Sequence, residues 1–294
     1  MLGTLAHLDR PFEYAVPAAL DAVEPGMRVR VRFSGREHEA LVRARYERPD
    51  TTRPLAPLVS VVSEDVLLSE HMFRVCEDVA QRYAGSLSDV LRLAVPARSA
   101  GAEKAHRARM ERHAREKSGA PDKKTASSGD ASPQSEKYRS KFAGLGAFLE
   151  HSRGGDRTPR ASIVLDPVDS WIELVLECLS GLEDDAGAII LASDQRDVDR
   201  LTKALTAHAI DHVQFGSAQG PHARYTAFLS TLQGRSRLVI GTRSAVFAPV
   251  ANLRMILVWD PDDDLYEEPR APYPHARTVA LTRSFHESCS LLFV

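Results

Sequence analysis

The stretch Met255-Ile256-Leu257-Val258-Trp259 is a short apolar run, and Asp260-Pro261-Asp262-Asp263 follows it directly. Similar apolar runs precede it along the chain, at residues 162–165, 188–191, 212–215 and 238–240. Amphipathic segments, such as residues 194–208, separate most of these runs. Short apolar runs that alternate with helical segments are typical of βαβ units, whose parallel strands are buried on both faces. From about residue 139 onward, the sequence therefore predicts an α/β domain built on a parallel sheet.

A different pattern marks the N-terminal part, where residues 28–33 alternate strictly between arginine and apolar side chains. Because successive side chains of a strand point to opposite faces, the apolar residues predict one core-facing side. The other side would carry the three arginines, Arg28, Arg30 and Arg32. Further strands are predicted at residues 39–46 and 58–62.

Two helices are predicted after these strands. Ser69 precedes apolar residues at helical spacing, which indicates an N-cap, and Gly85 stands where that helix would end. Ser86 and Asp89 resemble a capping box that begins a second helix, and Pro96 would stop it. Residues 1–97 are therefore predicted to form a small β-rich domain with two helices.

The charge distribution separates these two parts. The chain has 294 residues with 38 lysines and arginines against 40 acidic residues, which excludes a globally basic nucleic-acid binder but not a local basic surface. Residues 98–141 carry 12 basic and 6 acidic side chains, and residues 118–135 have almost no apolar ones. Such a stretch cannot bury enough apolar area to offset the entropy of ordering. We predict a basic, disordered linker at 98–138, whose first part, 102–117, forms a helix without an apolar face.

Several classes of protein are excluded by simpler features. No apolar run approaches the ~20 residues that a membrane span requires, and the first twelve residues lack the apolar core of a signal peptide. The three cysteines are scattered, which argues for a reducing compartment and against a disulfide framework or a zinc site. We expect a cytoplasmic protein without membrane contacts and without a metal site.

Ligands of a doubly wound sheet bind at the carboxyl ends of its strands, so the loops there are the candidate sites. The first such loop contains Asp166, Asp169 and Ser170, and it has neither glycine nor lysine. A phosphate-binding loop needs glycines, a lysine and a Ser or Thr hydroxyl. The two aspartates would repel a triphosphate, so we interpret the loop as an ordinary helix start, with Asp169 or Ser170 as the N-cap.

Two further loops leave alternatives open. The aspartates after residue 259, namely Asp260, Asp262 and Asp263, resemble the magnesium-binding end of a nucleotide-site strand, but an acidic solvated loop is favoured in the absence of a phosphate loop. The side chains and amides of Gly241, Thr242 and Arg243 could bind a DNA phosphate or cap the following helix. His275 follows a proline and is interpreted as a helix start, and no Ser-His-Asp spacing indicates a catalytic triad.

Five stretches match a known family in the correct order: residues 7–17, 26–33, 83–92, 241–249 and 260–277. On these residues the chain resembles the PriA family of bacterial replication restart proteins. More narrowly, it is similar to the actinobacterial form, whose helicase motifs have decayed. The matching stretches cover nearly the whole chain outside the linker.

For residues 1–97 the resemblance implies the family's 3′-DNA-end-binding domain. Phe12, Glu13 and Tyr14 fall on the family's pocket segment, in which a carboxylate recognises the terminal 3′-hydroxyl; Glu13 stands where aspartate is commoner. Ser34 and Gly35 fall near the turn beside that pocket. A carboxylate can accept a hydrogen bond from a 3′-hydroxyl and would repel a phosphate, and the arginines at 28, 30 and 32 would contact the DNA backbone.

For residues 139–294 the resemblance implies the first RecA-like lobe of a helicase, with a degenerate nucleotide site. Active members carry Gly-Lys-Thr where Asp166, Asp169 and Ser170 stand, and Asp-Glu-Glu-His at residues 260–263. Losing these groups should remove ATP turnover. We therefore expect a pseudo-helicase that has no catalytic residue and does not use ATP. The resemblance also implies no metal in this chain, because the family's zinc-binding insert would lie beyond Val294.

The implied partners are forked or 3′-ended DNA, and primosome and replicative helicase-loading proteins, with a nucleoid-associated location. The leading hypothesis is a non-catalytic protein that recognises stalled or branched forks. One alternative is an ATP-dependent 3′–5′ helicase with divergent motifs. A second alternative is an interaction scaffold or a gene remnant.

Overall fold

The computed structural model describes residues 9–117, 137–153, 158–216 and 219–294. The chain divides into two compact units. The first unit holds the residues up to Val95 together with Glu267–His286, and the second holds Pro96–Tyr266 with Glu287–Val294. Residues 267–286 were expected with the parallel-sheet lobe, but they pack within the first unit.

The described residues form strands and helices that we number in chain order. The strands are β1 (Met27–Phe33), β2 (Arg36–Leu41), β3 (Ser60–Val66), β4 (Arg160–Ser162), β5 (Gly187–Leu191), β6 (Val213–Phe215), β7 (Leu238–Gly241), β8 (Leu253–Val258) and β9 (Ser290–Phe293). The α-helices are α1 (Glu70–Arg82), α2 (Leu87–Ala94), α3 (Ala100–Lys117), α4 (Lys137–Lys141), α5 (Ala143–Ser152), α6 (Trp171–Ser180), α7 (Gln195–Ala207), α8 (Pro221–Leu232) and α9 (Ala276–His286).

The first unit is built on an antiparallel sheet with the strand order β2-β1-β3. Strand β1 confirms the predicted alternation on its core side, where Val29 and Val31 are buried. Ser34 and Gly35 connect β1 to β2 with φ values of 49° and 78°. Positive φ at both central residues is what a two-residue type I′ hairpin turn requires. The return strand therefore begins at once, at Arg36, earlier than the predicted residue 39.

The two helices of the first unit begin where the sequence predicted. The Ser69 hydroxyl accepts a hydrogen bond from the Met72 N–H, and the Ser86 hydroxyl accepts one from the Asp89 N–H. Helix α9 packs against α1 in the same unit. Gly85 lies so close to Pro272 that a Cβ at Gly85 would stand 2.2 Å from the proline Cβ. This glycine is therefore required by a close contact between two segments that are distant in sequence.

The second unit confirms the predicted α/β class. Its six strands are parallel, in the order β4-β9-β8-β5-β7-β6. Strands β5 and β7 are buried along their whole length, as expected for central strands covered on both faces. The sequence analysis missed β9, although Leu291, Leu292 and Phe293 form an apolar run. The first strand also ends earlier than predicted, at Ser162.

Part of the predicted linker has a defined structure. Helix α3 was expected without a packing face, and this is wrong for its first two turns. Ala102, Glu103 and His106 are buried there, and the helix packs against α8. No apolar stripe marks this part of the sequence because two of the three buried side chains are polar. The predicted disorder of residues 118–136 lies outside the described residues.

Two features bear on the excluded classes. In the described part of the chain, no helix combines the length and the apolar character that crossing a membrane would need. Cys76, Cys178 and Cys289 are buried, and none of these three forms a disulfide bond. Burial raises the pKa of Cys178 to about 12, so this thiol stays protonated and unreactive.

Candidate nucleic-acid interface

An aromatic cluster of Phe12, Phe33 and His38 lies at the turn end of the β1–β2 hairpin. The rings of Phe12 and Phe33 meet edge to face at a centroid distance of 4.9 Å, and His38 lies 6.4 Å from Phe33. The Arg10 guanidinium lies 5.3 Å from the Phe12 ring centre. The three members of the cluster are only partly buried. The core-facing side of the sheet thus continues into a half-open aromatic surface.

Glu13 follows Phe12 of this cluster in the chain and is half-buried. Its Oε1 atom accepts a hydrogen bond from the backbone N–H of Asp50 at 3.0 Å. This contact holds the side chain with a neutral donor, and it uses only one of the lone pairs of the carboxylate. The remaining lone pairs can accept a hydrogen bond from a ligand hydroxyl.

Tyr14 fixes the segment to the hairpin. Its hydroxyl donates to the Arg32 carbonyl at 3.4 Å, and partial burial raises the pKa of its phenol. The next residue, Ala15, exchanges backbone hydrogen bonds with Ala56 and Leu58. These contacts bring together the predicted pocket residues Phe12, Glu13 and Tyr14 on one end of the sheet.

The three arginines of β1 do not behave alike. Arg28 was predicted on an exposed face, and this is wrong, since it is only 1% exposed and lies 3.6 Å from the Glu39 carboxylate. Arg30 and Arg32 are partly exposed, and both lie within 3.8 Å of Glu37. The two-residue turn places Glu37 and Glu39 across from Arg32 and Arg30. The row of positive charge is therefore partly neutralised.

This neutralisation had a signal in the sequence. Glu37 and Glu39 alternate directly after the Ser34-Gly35 pair, so a two-residue turn puts both glutamates on the arginine side. Ser34 and Gly35 themselves are exposed at the tip of the hairpin, and nothing lies within 4 Å of the position that a Cβ of Gly35 would take. A ligand can therefore approach the backbone of this turn.

Lys141, on helix α4, lies at the loop after β4, a contact that the sequence did not predict. The Lys141 ammonium lies 2.6 Å from the Asp166 carboxylate and also contacts that of Asp169. Asp169 keeps only 5% of its side chain exposed. The hydrogen bond from Lys141 holds the pKa of Asp169 below its ordinary value, and the two carboxylates raise the pKa of Lys141.

Helix α4 is held in place by a buried carboxylate. Glu177 accepts hydrogen bonds from the N–H groups of Tyr138 and Arg139, at 2.8 and 2.7 Å. The Tyr138 hydroxyl contacts the backbone of Ser170, whose side chain caps α6 as predicted. These contacts position Lys141 over the two aspartates. No part of the loop sequence itself indicated this arrangement, because its donors come from another segment.

The acidic loop after β8 is organised by its own backbone. Asp263 accepts a hydrogen bond from the Leu265 N–H at 2.8 Å and caps a 3₁₀ turn at Asp264–Tyr266. The Tyr266 hydroxyl donates to the Trp259 carbonyl at 2.7 Å. Asp260 has a φ of 49°, and Asp262 is exposed. Within the described ranges, no cluster of three His, Cys, Asp or Glu residues could hold a metal ion.

The Gly241 loop lies at the carboxyl end of β7, as the sequence predicted. A Cβ at Gly241 would stand 1.9 Å from the Phe215 carbonyl oxygen, so only glycine allows this close approach of β6 and β7. Thr242 precedes a 3₁₀ helix at Arg243–Phe247 but makes no capping hydrogen bond with its side chain. Arg243 donates to the Leu265 carbonyl at 3.4 Å.

His275 begins helix α9, as the sequence indicated. Its carbonyl accepts from the Val279 N–H, and its Nδ1 atom accepts from the Arg277 N–H. The Tyr83 hydroxyl accepts a hydrogen bond from the His275 N–H. The Nδ1 atom of His275 therefore takes part in capping the first turn of α9.

Comparison with known proteins gives these sites a context. Residues 4–96 match the 3′DNA-binding domain (3′BD) family. The chain is 40% identical over 294 residues to a probable replication restart protein PriA of Mycobacterium tuberculosis, covering 98% of this chain and 42% of that protein. The corresponding protein of Mycobacterium leprae is 37% identical over 293 residues, covering 98% and 43%. The chain is a homologue of replication restart protein PriA.

The homology has limits of length. The chain spans about 42% of the length of these PriA relatives. The similarity to PriA of Bacillus subtilis is confined to 56 residues, at 43% identity, which cover 19% of this chain and 7% of that protein. The 3′DNA-binding domain match includes the aromatic cluster, Glu13 and the hairpin.

The chain has only a low similarity to solved structures of Dbp5. A structure of S. cerevisiae Dbp5 bound to RNA and ADP BeF3 matches with a TM-score of 0.37 and 15% identity, covering 48% of this chain and 36% of that chain. The C-terminal domain of the DEAD-box protein Dbp5 matches with a TM-score of 0.33 and 15% identity, covering 47% and 76%. Likenesses of this size carry no argument about the function of a PriA homologue.

Proposed function

We propose that this chain recognises forked DNA through a free 3′-hydroxyl end, and that it serves replication restart without ATP-driven unwinding by its own parallel-sheet unit. The observation that carries the proposal is the position of the Glu13 carboxylate. The carboxylate belongs to the residue that follows Phe12 of the half-open aromatic cluster, and it accepts a hydrogen bond from the Asp50 N–H, in the unit that matches the 3′DNA-binding domain family.

The chemistry of this end of the hairpin suits a terminal nucleotide. The half-exposed Phe12 ring offers a surface for base stacking, which tolerates any base. Glu13 accepts the hydrogen bond of a 3′-hydroxyl and repels a 3′-phosphate. Arg32, which is 65% exposed, is the arginine of β1 best placed to contact a backbone phosphate. Glu37 limits the strength of that contact.

The loop after β4 does not fit a nucleotide triphosphate. Its cation, Lys141, is already paired with Asp166 and Asp169. A triphosphate would have to separate these pairs and would then face two carboxylates, without the glycine backbone that normally cradles phosphate. We therefore assign no ATP-dependent step to this chain.

The partners follow from the homology to PriA. We propose forked or 3′-ended DNA as the nucleic-acid partner, and primosome and helicase-loading proteins as the protein partners. This role would place the protein on chromosomal DNA, in a nucleoid-associated cytoplasmic location.

The test compares two forks that differ in one group. Fluorescence anisotropy measures binding to a fork with a recessed 3′-hydroxyl and to the same fork with a 3′-phosphate. We expect the hydroxyl form to bind about tenfold more tightly, or about 1.4 kcal/mol. Glu13→Gln removes the negative charge and should abolish this preference. Glu24→Gln, which changes an exposed carboxylate of the same unit, should retain it.

Two results would contradict the proposal. Equal binding of the two forks by the wild-type chain would eliminate the 3′-end assignment. DNA-stimulated ATP hydrolysis by the purified chain would overturn the non-catalytic part and favour the helicase alternative.

A further inference from the structure

Helix α3 has two sides of different character. Ala102, Glu103 and His106 are buried against α8 within the second unit. The exposed charged side chains include Lys104, Arg107, Arg109 and Arg112. From Ala100 to Arg112 the sequence has these four cations and two acidic residues, Glu111 and the buried Glu103. This part of α3 therefore carries an excess of positive charge.

Polar contacts fix the rotation of α3 about its axis. The Tyr225 hydroxyl donates to Glu103 at 2.6 Å, and the Arg98 guanidinium donates to the other oxygen of Glu103 at 2.9 Å. A hydrogen bond of 2.6 Å joins His106 Nε2 and Gln233 Oε1. Because the charge of Glu103 is paired on the inner side, it does not offset the positive charge on the outer side.

Helix α3 runs alongside α8 in the same direction. Ser99, just before α3, contacts His222 at 3.1 Å, in the first turn of α8. His106 contacts Gln233, the residue that follows the last turn of α8. The cations that follow His106 therefore lie toward the end of α8 and away from the loop of Thr242 and Arg243, which follows β7.

We propose that the outer side of α3 binds the sugar–phosphate backbone of duplex DNA, independently of any strand end. The cations of α3 complement the charge of DNA phosphates, and contacts of Glu103 and His106 anchor the first two turns of the helix. From Lys104 to Arg112 the helix rises about 12 Å, and duplex DNA presents one phosphate charge per ~1.7 Å of its axis. Several phosphates therefore lie within reach of these cations. The proposal goes beyond 3′-end recognition, since it concerns the other unit and needs no free hydroxyl.

The experiment uses a covalently closed dumbbell duplex, which has no strand end. The dissociation constant of the full chain is measured over a range of salt concentrations. In the variant Lys104→Ala/Arg109→Ala/Arg112→Ala, the slope of the logarithm of the binding constant against the logarithm of the salt concentration should fall by the equivalent of about 2 to 3 phosphate contacts. Binding at ~0.1 M salt should weaken by at least about tenfold. The ratio of 3′-hydroxyl to 3′-phosphate fork binding should stay unchanged in this variant.

The matched control removes the same charge from another exposed helix of the same unit. Arg196→Ala/Arg200→Ala/Lys203→Ala acts on α7, where Asp194 and Asp197 pair with two of the cations. This variant should bind the dumbbell like the wild-type chain, and thermal unfolding verifies that both variants fold.

Three outcomes would overturn the proposal: an unchanged salt dependence in the α3 variant, an equal loss in the α7 control, or no binding of the dumbbell by the wild-type chain. If the α3 variant loses only its binding to polyglutamate, the surface serves an acidic protein instead. Failure of the 3′-end proposal would leave dumbbell binding intact and change only the hydroxyl-to-phosphate ratio, so the two failures are distinguishable.

Discussion

The carboxylates of Glu13, in the first unit, and Asp169, in the second, are held in opposite ways. Glu13 accepts a hydrogen bond from a neutral backbone N–H and stays partly exposed. Asp169 is almost fully covered and contacts the Lys141 ammonium. The first carboxylate keeps its remaining lone pairs for a ligand. The charge of the second is compensated within the protein.

The chemistry of a loop therefore depends on donors that come from elsewhere in the chain. The donor to Glu13 lies 37 residues away, and the lysine beside Asp169 lies 28 residues away. Both loops look acidic in the sequence. They differ in the partner of the carboxylate. The neutral Asp50 N–H leaves Glu13 able to accept a ligand, whereas the Lys141 ammonium forms an internal ion pair with Asp169.

The largest effect is expected when helix α4, which carries Lys141, loses the contacts that hold it at the loop of Asp166 and Asp169. Glu177→Ala leaves the buried N–H groups of Tyr138 and Arg139 without their acceptor. We expect the free energy of unfolding to fall by about 3 kcal/mol, measured by urea denaturation. Glu173→Ala removes an exposed carboxylate from α6, the helix that also carries Glu177, and should lower the free energy of unfolding much less. An equal loss in the two variants would contradict the role given to Glu177.

The aromatic cluster provides the next test, because it distinguishes the open site from the closed one. Phe12→Ala removes the proposed stacking surface next to Glu13. We expect binding of the 3′-hydroxyl fork to weaken about tenfold, or about 1.4 kcal/mol, by fluorescence anisotropy. Phe285→Ala, at a ring that is 70% exposed in the same unit, is the control and should leave binding unchanged. Retention of full affinity by Phe12→Ala would argue against the site.

The smallest expected effect is a pH dependence of stability at the closed loop. Lys141 lowers the pKa of Asp169 in the folded chain. The ion pair therefore stabilises the fold above the ordinary aspartate pKa of about 3.9, and this contribution is lost as the pH falls through the lower folded-state pKa. Asp169→Asn should thus be less stable than wild type at pH 6. The difference in stability between the two chains should become smaller as the solution is acidified.

The Lys141→Ala background is the control for this effect. Without the ammonium, Asp169→Asn should change stability by the same small amount at each pH, as followed by thermal unfolding. A gap that narrows equally in both backgrounds would show that Lys141 is not the cause.

Local signals predicted much of the fold. The hydroxyls of Ser69, Ser86 and Ser170 cap helices as predicted, since capping depends only on the next three residues. The alternation in β1 identified the core-facing Val29 and Val31. The apolar runs located the central strands of the parallel sheet, because complete burial leaves a continuous apolar stretch.

The candidate site was predicted only in part. The resemblance to the PriA family assigns Phe12, Glu13 and Tyr14 to a pocket segment, and this assignment stays a prediction. Arg28 was wrong as an exposed residue, because the surrounding chain covers it. The register pairs Glu39 with Arg30, and the partly exposed Glu39 carboxylate lies 3.6 Å from the Arg28 guanidinium. The packing of α3 was missed because its buried residues are polar and their partners lie on α8.

By itself, the sequence determined the two structural classes of this protein, the helix starts and the family, because these depend on composition, short-range pattern and similarity along the chain. Only the tertiary structure decided which charges are compensated. Lys141 closes the loop at Asp166 and Asp169, Glu37 offsets Arg32, and Glu103 is paired on the inner side of α3. Each of these pairings depends on distances between segments, and electrostatic energy varies with distance and burial rather than with sequence separation.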